Sequence, residues 1–306
     1  MKNKYAIFII GPTGVGKTAI AVRVAEALGT EIISADSRQV YKELSIGTSV
    51  PGTEHLSRVR HHLLHHRSVK EDYNASMFEV EAMRIMEKLF REHDTVVIAG
   101  GSGLYIKALI TGIDDVPGVD PEIRKRLLVR LYDEGLESLR FELKKLDPDS
   151  WAAIDLKNPA RILKALEISL TTGKPYSSFL TRKSKQRDFT NLKIGLNLDR
   201  SSLYARIEQR VENMMEDGLL DEVRSCLPYR DRNALNTVGY KEIFDYLDGR
   251  ISLDEAVHLI KRNSRRYARR QLTWFNRDDE ITWFNPDQFD GIMDHIRRNA
   301  KTGYQI

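Results

Sequence analysis

Residues 11–18 read Gly11-Pro12-Thr13-Gly14-Val15-Gly16-Lys17-Thr18 and fit the phosphate-binding pattern G-x-x-x-x-G-K-[ST] at every fixed position. The flanks agree with the loop. Tyr5 to Ile10 (YAIFII) is short, apolar and β-branched, as a buried parallel strand requires. Ala19 to Leu28 follows as a helix that Gly29 closes. Strand, glycine loop and helix let backbone N–H groups turn inward on an anion, and the helix N-terminus adds about half a positive charge. Lys17 can bridge phosphate oxygens, and the Thr18 hydroxyl can hold Mg²⁺. The ligand is therefore a phosphate or diphosphate ester, and its chemistry has to come from other residues.

Composition narrows the setting. The chain has 306 residues, 41% of them hydrophobic, enough for one large domain or two unequal ones. Its one cysteine, Cys226, excludes a disulfide framework and a cysteine metal site. No apolar run approaches a membrane span and no signal peptide precedes the first strand, which predicts a cytoplasmic protein with no membrane partner. A net charge of +4 is only mildly basic, so a nucleic-acid partner must meet a local patch.

Further along, Glu31 to Ala35 reads as a second strand with Asp36 at its carboxyl end, the edge where open parallel sheets bind ligands. Asp36 is then a carboxylate over the phosphate site, or a helix cap, and the two roles are compatible. His61/His65 and His62/His66 have the i, i+4 spacing of a helical metal site, but no glutamate lies between them and no third ligand stands out. We read them as non-ligating. Tyr73 to Arg91 is an amphipathic helix with Phe78, Ala82, Ile85, Met86 and Leu89 on one face.

Thr95 to Ala99 is a third strand, followed by Gly100-Gly101-Ser102-Gly103. A phosphate-loop ATPase carries an acidic magnesium residue there. Its absence speaks against nucleotide hydrolysis, while Ser102 can hydrogen-bond a phosphate oxygen. From about residue 116 to 189 the chain is helical and charged, then Leu192 to Leu198 returns to strand. The fold expected is α/β: a P-loop NTPase-like parallel sheet core over 1–115 and 190–306, an inserted all-helical domain over 116–189, and a helical C-terminal region. There Lys261, Arg262, Arg265, Arg266, Arg269 and Arg270 recur at three- and four-residue steps with Tyr267 and Trp274 beside them, and Trp283 and Phe284 downstream. Such a stripe fits nucleic-acid contact.

Taken together, GPTGVGKT (11–18), SADSRQVYKELSIGTSVP (34–51), GGSGLYIKALITG (100–112), VGYKEI (238–243) and YARRQLTWFNRD (267–278) resemble the tRNA dimethylallyltransferases, in order and over nearly the whole chain. The resemblance implies transfer of a dimethylallyl group from dimethylallyl diphosphate to N6 of adenosine 37 in the anticodon loop of tRNAs reading codons that begin with U. It implies that residues 11–18 and Mg²⁺ hold the diphosphate, that Asp36 is the general base, and that Lys17, Thr18, Ser102 and Arg124 assist. It implies tRNA contacts from Asp36, Ser37, Arg38 and Gln39; from Ser102 and Arg124; from Ala160, Arg161, Ile162, Leu163 and Lys164; from Val238, Gly239, Tyr240 and Lys241; and from Arg270 and Gln271. The partners are the tRNA anticodon stem-loop and dimethylallyl diphosphate, and the chain is read as a monomer. The sequence departs from the family pattern at Ser102 (usually threonine), His65, Ala160 and Asn276. A small-molecule kinase shares the phosphate loop but needs no basic stripe, and an enzyme prenylating free adenine nucleotides needs no C-terminal tRNA motifs. A non-catalytic RNA-binding protein is disfavoured by Lys17, Thr18 and Asp36 occurring together.

Overall fold

The computed structural model describes residues 4–181 and 183–300. They form two compact units, one of residues up to 111 and from 186 on, the other of residues 112–185.

The first unit opens with β1 (Tyr5–Ile10), the phosphate loop and α1 (Lys17–Ala27). It continues through β2 (Ile32–Ser34), α2 (Thr53–Arg58), β3 (His61–His62), α3 (Ala75–Glu92), β4 (Thr95–Gly100) and α4 (Gly103–Thr111). Every β1 residue is buried, because the strand is flanked on both sides by β4 and by a strand that the chain supplies almost a hundred residues later. Gly16 stands at φ 98°, a left-handed conformation that lets the loop turn into α1 without a side-chain clash. Asn74 caps α3, its side chain accepting hydrogen bonds from the Ser76 and Met77 amides at 3.0 and 3.1 Å. Phe78, Ala82, Met86 and Leu89 give α3 its buried face.

The second unit consists of α5 (Pro121–Asp133), α6 (Leu136–Leu146), α7 (Pro148–Ala153) and α8 (Pro159–Thr172). Ile123, Leu127, Leu139, Leu143, Ile162 and Leu166 close a separate apolar core from the inner stripes of three amphipathic helices. The first unit then resumes with β5 (Thr190–Leu196), α9 (Arg200–Glu216), α10 (Leu219–Ser225), α11 (Tyr240–Leu247), α12 (Leu253–Phe275), β6 (Thr282–Phe284) and α13 (Phe289–Asn299).

The strands make one six-stranded sheet in the order β3-β2-β4-β1-β5-β6, every neighbouring pair parallel. Parallel direction puts the carboxyl ends of β1, β2 and β4 on one edge. That edge carries the phosphate loop, Asp36 and the Gly100–Gly103 turn.

Several expectations change. The second strand is three residues long, shorter than Glu31–Ala35. His61 and His62 form an edge strand beside Ile32 and Ile33, and His65 sits in a turn at φ 48°, so their four-residue spacing has no helical meaning. Trp283 and Phe284, downstream of the basic stripe, build β6 against Gly195 and Leu196.

Candidate active site

Two cavities open on this edge. One, of about 280 Å³, is lined by Gly14, Gly16, Lys17 and Thr18 of the phosphate loop together with Ser34, Gln39, Ser49 and Gly100. The other, about 580 Å³, is lined by Ser37, Arg38, Val238, Gly239, Lys241, Arg266 and Arg270 among others. Thr13, Asp36, Thr48, Arg210 and Tyr267 line both. Asp36 therefore stands where the chamber over the glycine-rich loop meets a wider one.

The turn after β2 aims it. Asp36 Oδ1 accepts the Arg38 and Gln39 amides at 2.8 and 3.3 Å, so the residue caps a tight turn rather than a helix. Oδ2 takes no hydrogen bond from any described residue. Ser102 supports the same turn: its Oγ accepts the Ser37 amide at 2.9 Å, and its own amide donates to Ala35 at 3.3 Å. Its hydroxyl, expected to meet a phosphate, thus also holds the segment that carries the carboxylate.

The small chamber is cationic. Lys17 Nζ donates to the Pro12 carbonyl at 2.7 Å. Burial lowers its pKa to about 8, against the opposing pull of Asp36, and the neighbouring Arg210 lowers it further. Arg210, on α9, donates to Thr13 Oγ1 at 2.8 Å. Burial pushes its pKa down as well, with Asp36 and Tyr267 opposing. Two cations held close with one carboxylate between them form a site short of negative charge. Tyr267, on α12, is kept neutral: burial and the Asp36 charge push its pKa up to about 12.

Arg210 and Glu222 went unassigned in the sequence, and Tyr267 entered only as an aromatic beside the basic stripe. Glu222, on α10, accepts the Ser45 and Ile46 amides at 2.8 Å, the Gly47 amide at 2.9 Å and the Tyr240 hydroxyl at 2.6 Å. It thereby pins the loop that brings Thr48 and Ser49 to the chambers. The only sequence signal was the placing of Arg206 and Arg210 one turn apart on a helix.

Not every residue expected at a tRNA surface is free to reach one. Ile162 and Leu163 are buried in the helical core, leaving Ala160, Arg161 and Lys164 on the outer face of α8. Tyr240 is fully buried against Glu222. Gln271 is 7% exposed and both ends of its amide are bonded within the protein. Arg124 stays exposed but pairs at 2.9 Å with the buried Glu167 of the second unit, where burial raises the Glu167 pKa against the pull of that arginine. Ser37, Arg38, Val238, Gly239, Lys241 and Arg270 do line the larger cavity. The basic stripe is split: Lys261 pairs with Glu212 at 2.7 Å and Arg265 with Glu208, while Arg266 and Arg270 face the cavity.

Mg²⁺ fits these residues in a limited way. Thr18, whose hydroxyl makes no hydrogen bond to the described residues, lines the smaller chamber, and Asp36 borders the same space. Among the described residues no cluster of three His, Cys, Asp or Glu could cage an ion. An oxygen-seeking ion that keeps most of its ligands from water and substrate phosphates suits that donor set.

A G-x-x-x-x-G-K-[ST] loop and two adjoining chambers with the Asp36 carboxylate on their shared wall make up this edge of the sheet. Residues 39–278 match the IPP transferase family. The chain is 54% identical to tRNA dimethylallyltransferase 1 of Bacteroides thetaiotaomicron over 291 residues, 95% of this chain and 94% of that one. It superposes on the crystal structure of the tRNA isopentenylpyrophosphate transferase of Bacillus halodurans with a TM-score of 0.69, at 35% identity, covering 98% and 99% of the two chains. A eukaryotic dimethylallyltransferase acting on tRNA gives 0.81 at 25% identity, covering 99% of this chain and 82% of the other. The chain belongs to the IPP transferase family, that of the tRNA dimethylallyltransferases, and is a transferase. None of its described helices is long and apolar enough to cross a membrane.

Proposed function

We propose that the protein transfers the dimethylallyl group of dimethylallyl diphosphate to N6 of adenosine 37 in tRNAs reading codons that begin with U. The observation that carries this reading is the position of Asp36 on the wall common to both chambers. The phosphate chamber takes the diphosphate; the larger one takes an adenine that has left the anticodon stack, at a cost of a few kcal/mol. The bond from the allylic carbon to the diphosphate oxygen breaks, the bond from that carbon to N6 forms, and Asp36 Oδ2 takes the N6 proton. Lys17, Arg210 and the loop amides meet the charge that grows on the departing diphosphate. Thr18 would hold a Mg²⁺ ion that neutralises part of the same charge. No phosphorus–oxygen bond is cut, which accounts for glycines and Ser102 at the end of β4 in place of an acidic residue.

The reading is tested with ¹⁴C-dimethylallyl diphosphate, an unmodified anticodon stem-loop carrying A36-A37-A38, Mg²⁺ and no ATP. Label at adenosine 37 is expected. Asp36→Ala should cut the rate by about 10²–10⁴-fold, the usual contribution of a positioned base, with RNA affinity nearly unchanged. Label in free AMP and not in RNA would move the enzyme to the nucleotide-prenylating class. A variant within a few-fold of the parent rate would remove Asp36 from the role of base.

A further inference from the structure

Gln271 lies on α12, the helix that presents Arg266 and Arg270 to the larger chamber, yet it lines the smaller chamber instead. Oε1 accepts the Thr13 amide at 2.8 Å and Nε2 donates to the Gly101 carbonyl at 2.9 Å. The side chain is 7% exposed, and a Cβ at Gly101 would collide with Nε2. One amide thus joins three pieces of chain: the phosphate loop, the turn after β4 and the cation-bearing helix. Each piece leads on to a reacting group. Thr13 is bonded through its hydroxyl to Arg210, and Gly101 precedes Ser102, which holds the Asp36 turn.

We infer that Gln271 is a positioning residue for the transfer reaction and not an RNA contact: it sets the phosphate loop and the Asp36 turn in register with α12. A single primary amide does this because it offers an acceptor and a donor on one rigid plane. Without it, the half-buried Thr13 N–H and the buried Gly101 C=O lose their partners, and both segments shift to find new ones.

The inference rests on the transferase reading only for its kinetic arm. Gln271→Ala is compared with the parent protein for binding of inorganic pyrophosphate in the absence of RNA. An RNA contact leaves that affinity untouched; a positioning residue lowers it, and we expect a fall of about tenfold, the size of one lost buried hydrogen bond. In the transfer assay kcat should fall by a similar factor, with KM for the stem-loop within about twofold. Gln271→Glu supplies the decisive second variant. Ionised, its carboxylate accepts from Thr13 but cannot donate to Gly101. Protonated, it restores both bonds. Its pyrophosphate affinity relative to the parent should therefore climb as pH falls, a rescue that a merely space-filling role cannot give.

Unchanged pyrophosphate binding in Gln271→Ala together with a raised KM for RNA would overturn the inference. So would a Gln271→Glu ratio that stays flat with pH. If the parent protein transfers no dimethylallyl group, the functional reading fails, and the pyrophosphate arm still decides the role of Gln271.

Discussion

Lys17 is the residue whose charge the fold leaves most open to its ligand. Burial brings its pKa to about 8 while Asp36 alone holds it up, so the free protein carries a partly neutral lysine just above neutral pH. A bound diphosphate favours the ammonium form and raises that pKa. The sign follows: affinity is fully present below about pH 8 and falls as pH rises from there towards the higher bound-state value. Pyrophosphate titrations at pH 8 in buffers of different ionisation enthalpy should show proton uptake. Lys17→Arg should remove the step, since a guanidinium stays charged. An affinity that is level from about pH 7 to 9.5, once the ligand's own ionisation is subtracted, would show that Lys17 is charged throughout. Lys17, Thr18 and Asp36 were all legible in the sequence because local pattern fixes them: a loop motif, and a carboxylate after a strand. Arg210 was not. On its own helix it follows Glu208 and Gln209 and reads as one more solvated charge. Only the packing of α9 against the phosphate loop brings it to Thr13.

Helix α12 shows the same limit at the next scale. Its basic periodicity is plain in the sequence, yet periodicity cannot say which turn faces a neighbour. The packing of α9 answers two of the six stripe residues, Lys261 and Arg265, with Glu212 and Glu208, and leaves Arg266 and Arg270 on the chamber wall. Arg262 and Arg269 are exposed with no ion pair to the described residues. The arginines should therefore separate by experiment. Arg266→Ala and Arg270→Ala should each weaken stem-loop binding and reduce the slope of log affinity against log salt by about one phosphate contact. Arg265→Ala should leave that slope unchanged and cost about 0.2–1 kcal/mol of stability, as a partly exposed ion pair does. Equal slopes for all three would mean that the RNA lies elsewhere. Short elements were the least legible. β3 and β6 have two and three residues and exist because β2 and β5 offer them an unpaired edge, not because their own sequences demand a strand. The reading of His61, His62, His65 and His66 as non-ligating agrees with the two-residue edge strand, which shows why their spacing carries no weight: helical spacing counts only where a helix forms.

At the scale of the whole chain, the sequence shows the change of texture but places the helical segment at 116–189, whereas the compact unit runs from 112 to 185. The offset has a physical origin. Gly112, at φ 80°, and Lys185 pack against each other at the two ends of the unit, so the segment starts and finishes at nearly one point. Asp115 pairs with Lys185 at 3.3 Å, and Asp114 accepts the Thr181 amide at 3.0 Å, drawing residues before the first helix into the unit. Arg187, just beyond it, pairs at 2.8 Å with the buried Glu79 of α3 and belongs to the sheet unit. A segment with its own core and adjacent ends can be lifted out without stretching what remains. Replacing residues 112–185 by a few glycines and serines should leave a chain that melts cooperatively and keeps its strand signal. Its pyrophosphate affinity should stay within about threefold of the parent's, under 1 kcal/mol, because every residue lining the phosphate chamber remains. Stem-loop binding should weaken, since the outer face of α8 with Arg161 and Lys164 is gone. The same protein examines Arg124. If excision lowers the transfer rate far more than it lowers pyrophosphate affinity, and Arg124→Ala in the full chain repeats that pattern, the arginine acts on charge that develops during the reaction. If Arg124→Ala changes neither, its guanidinium serves only to neutralise Glu167 within the helical core.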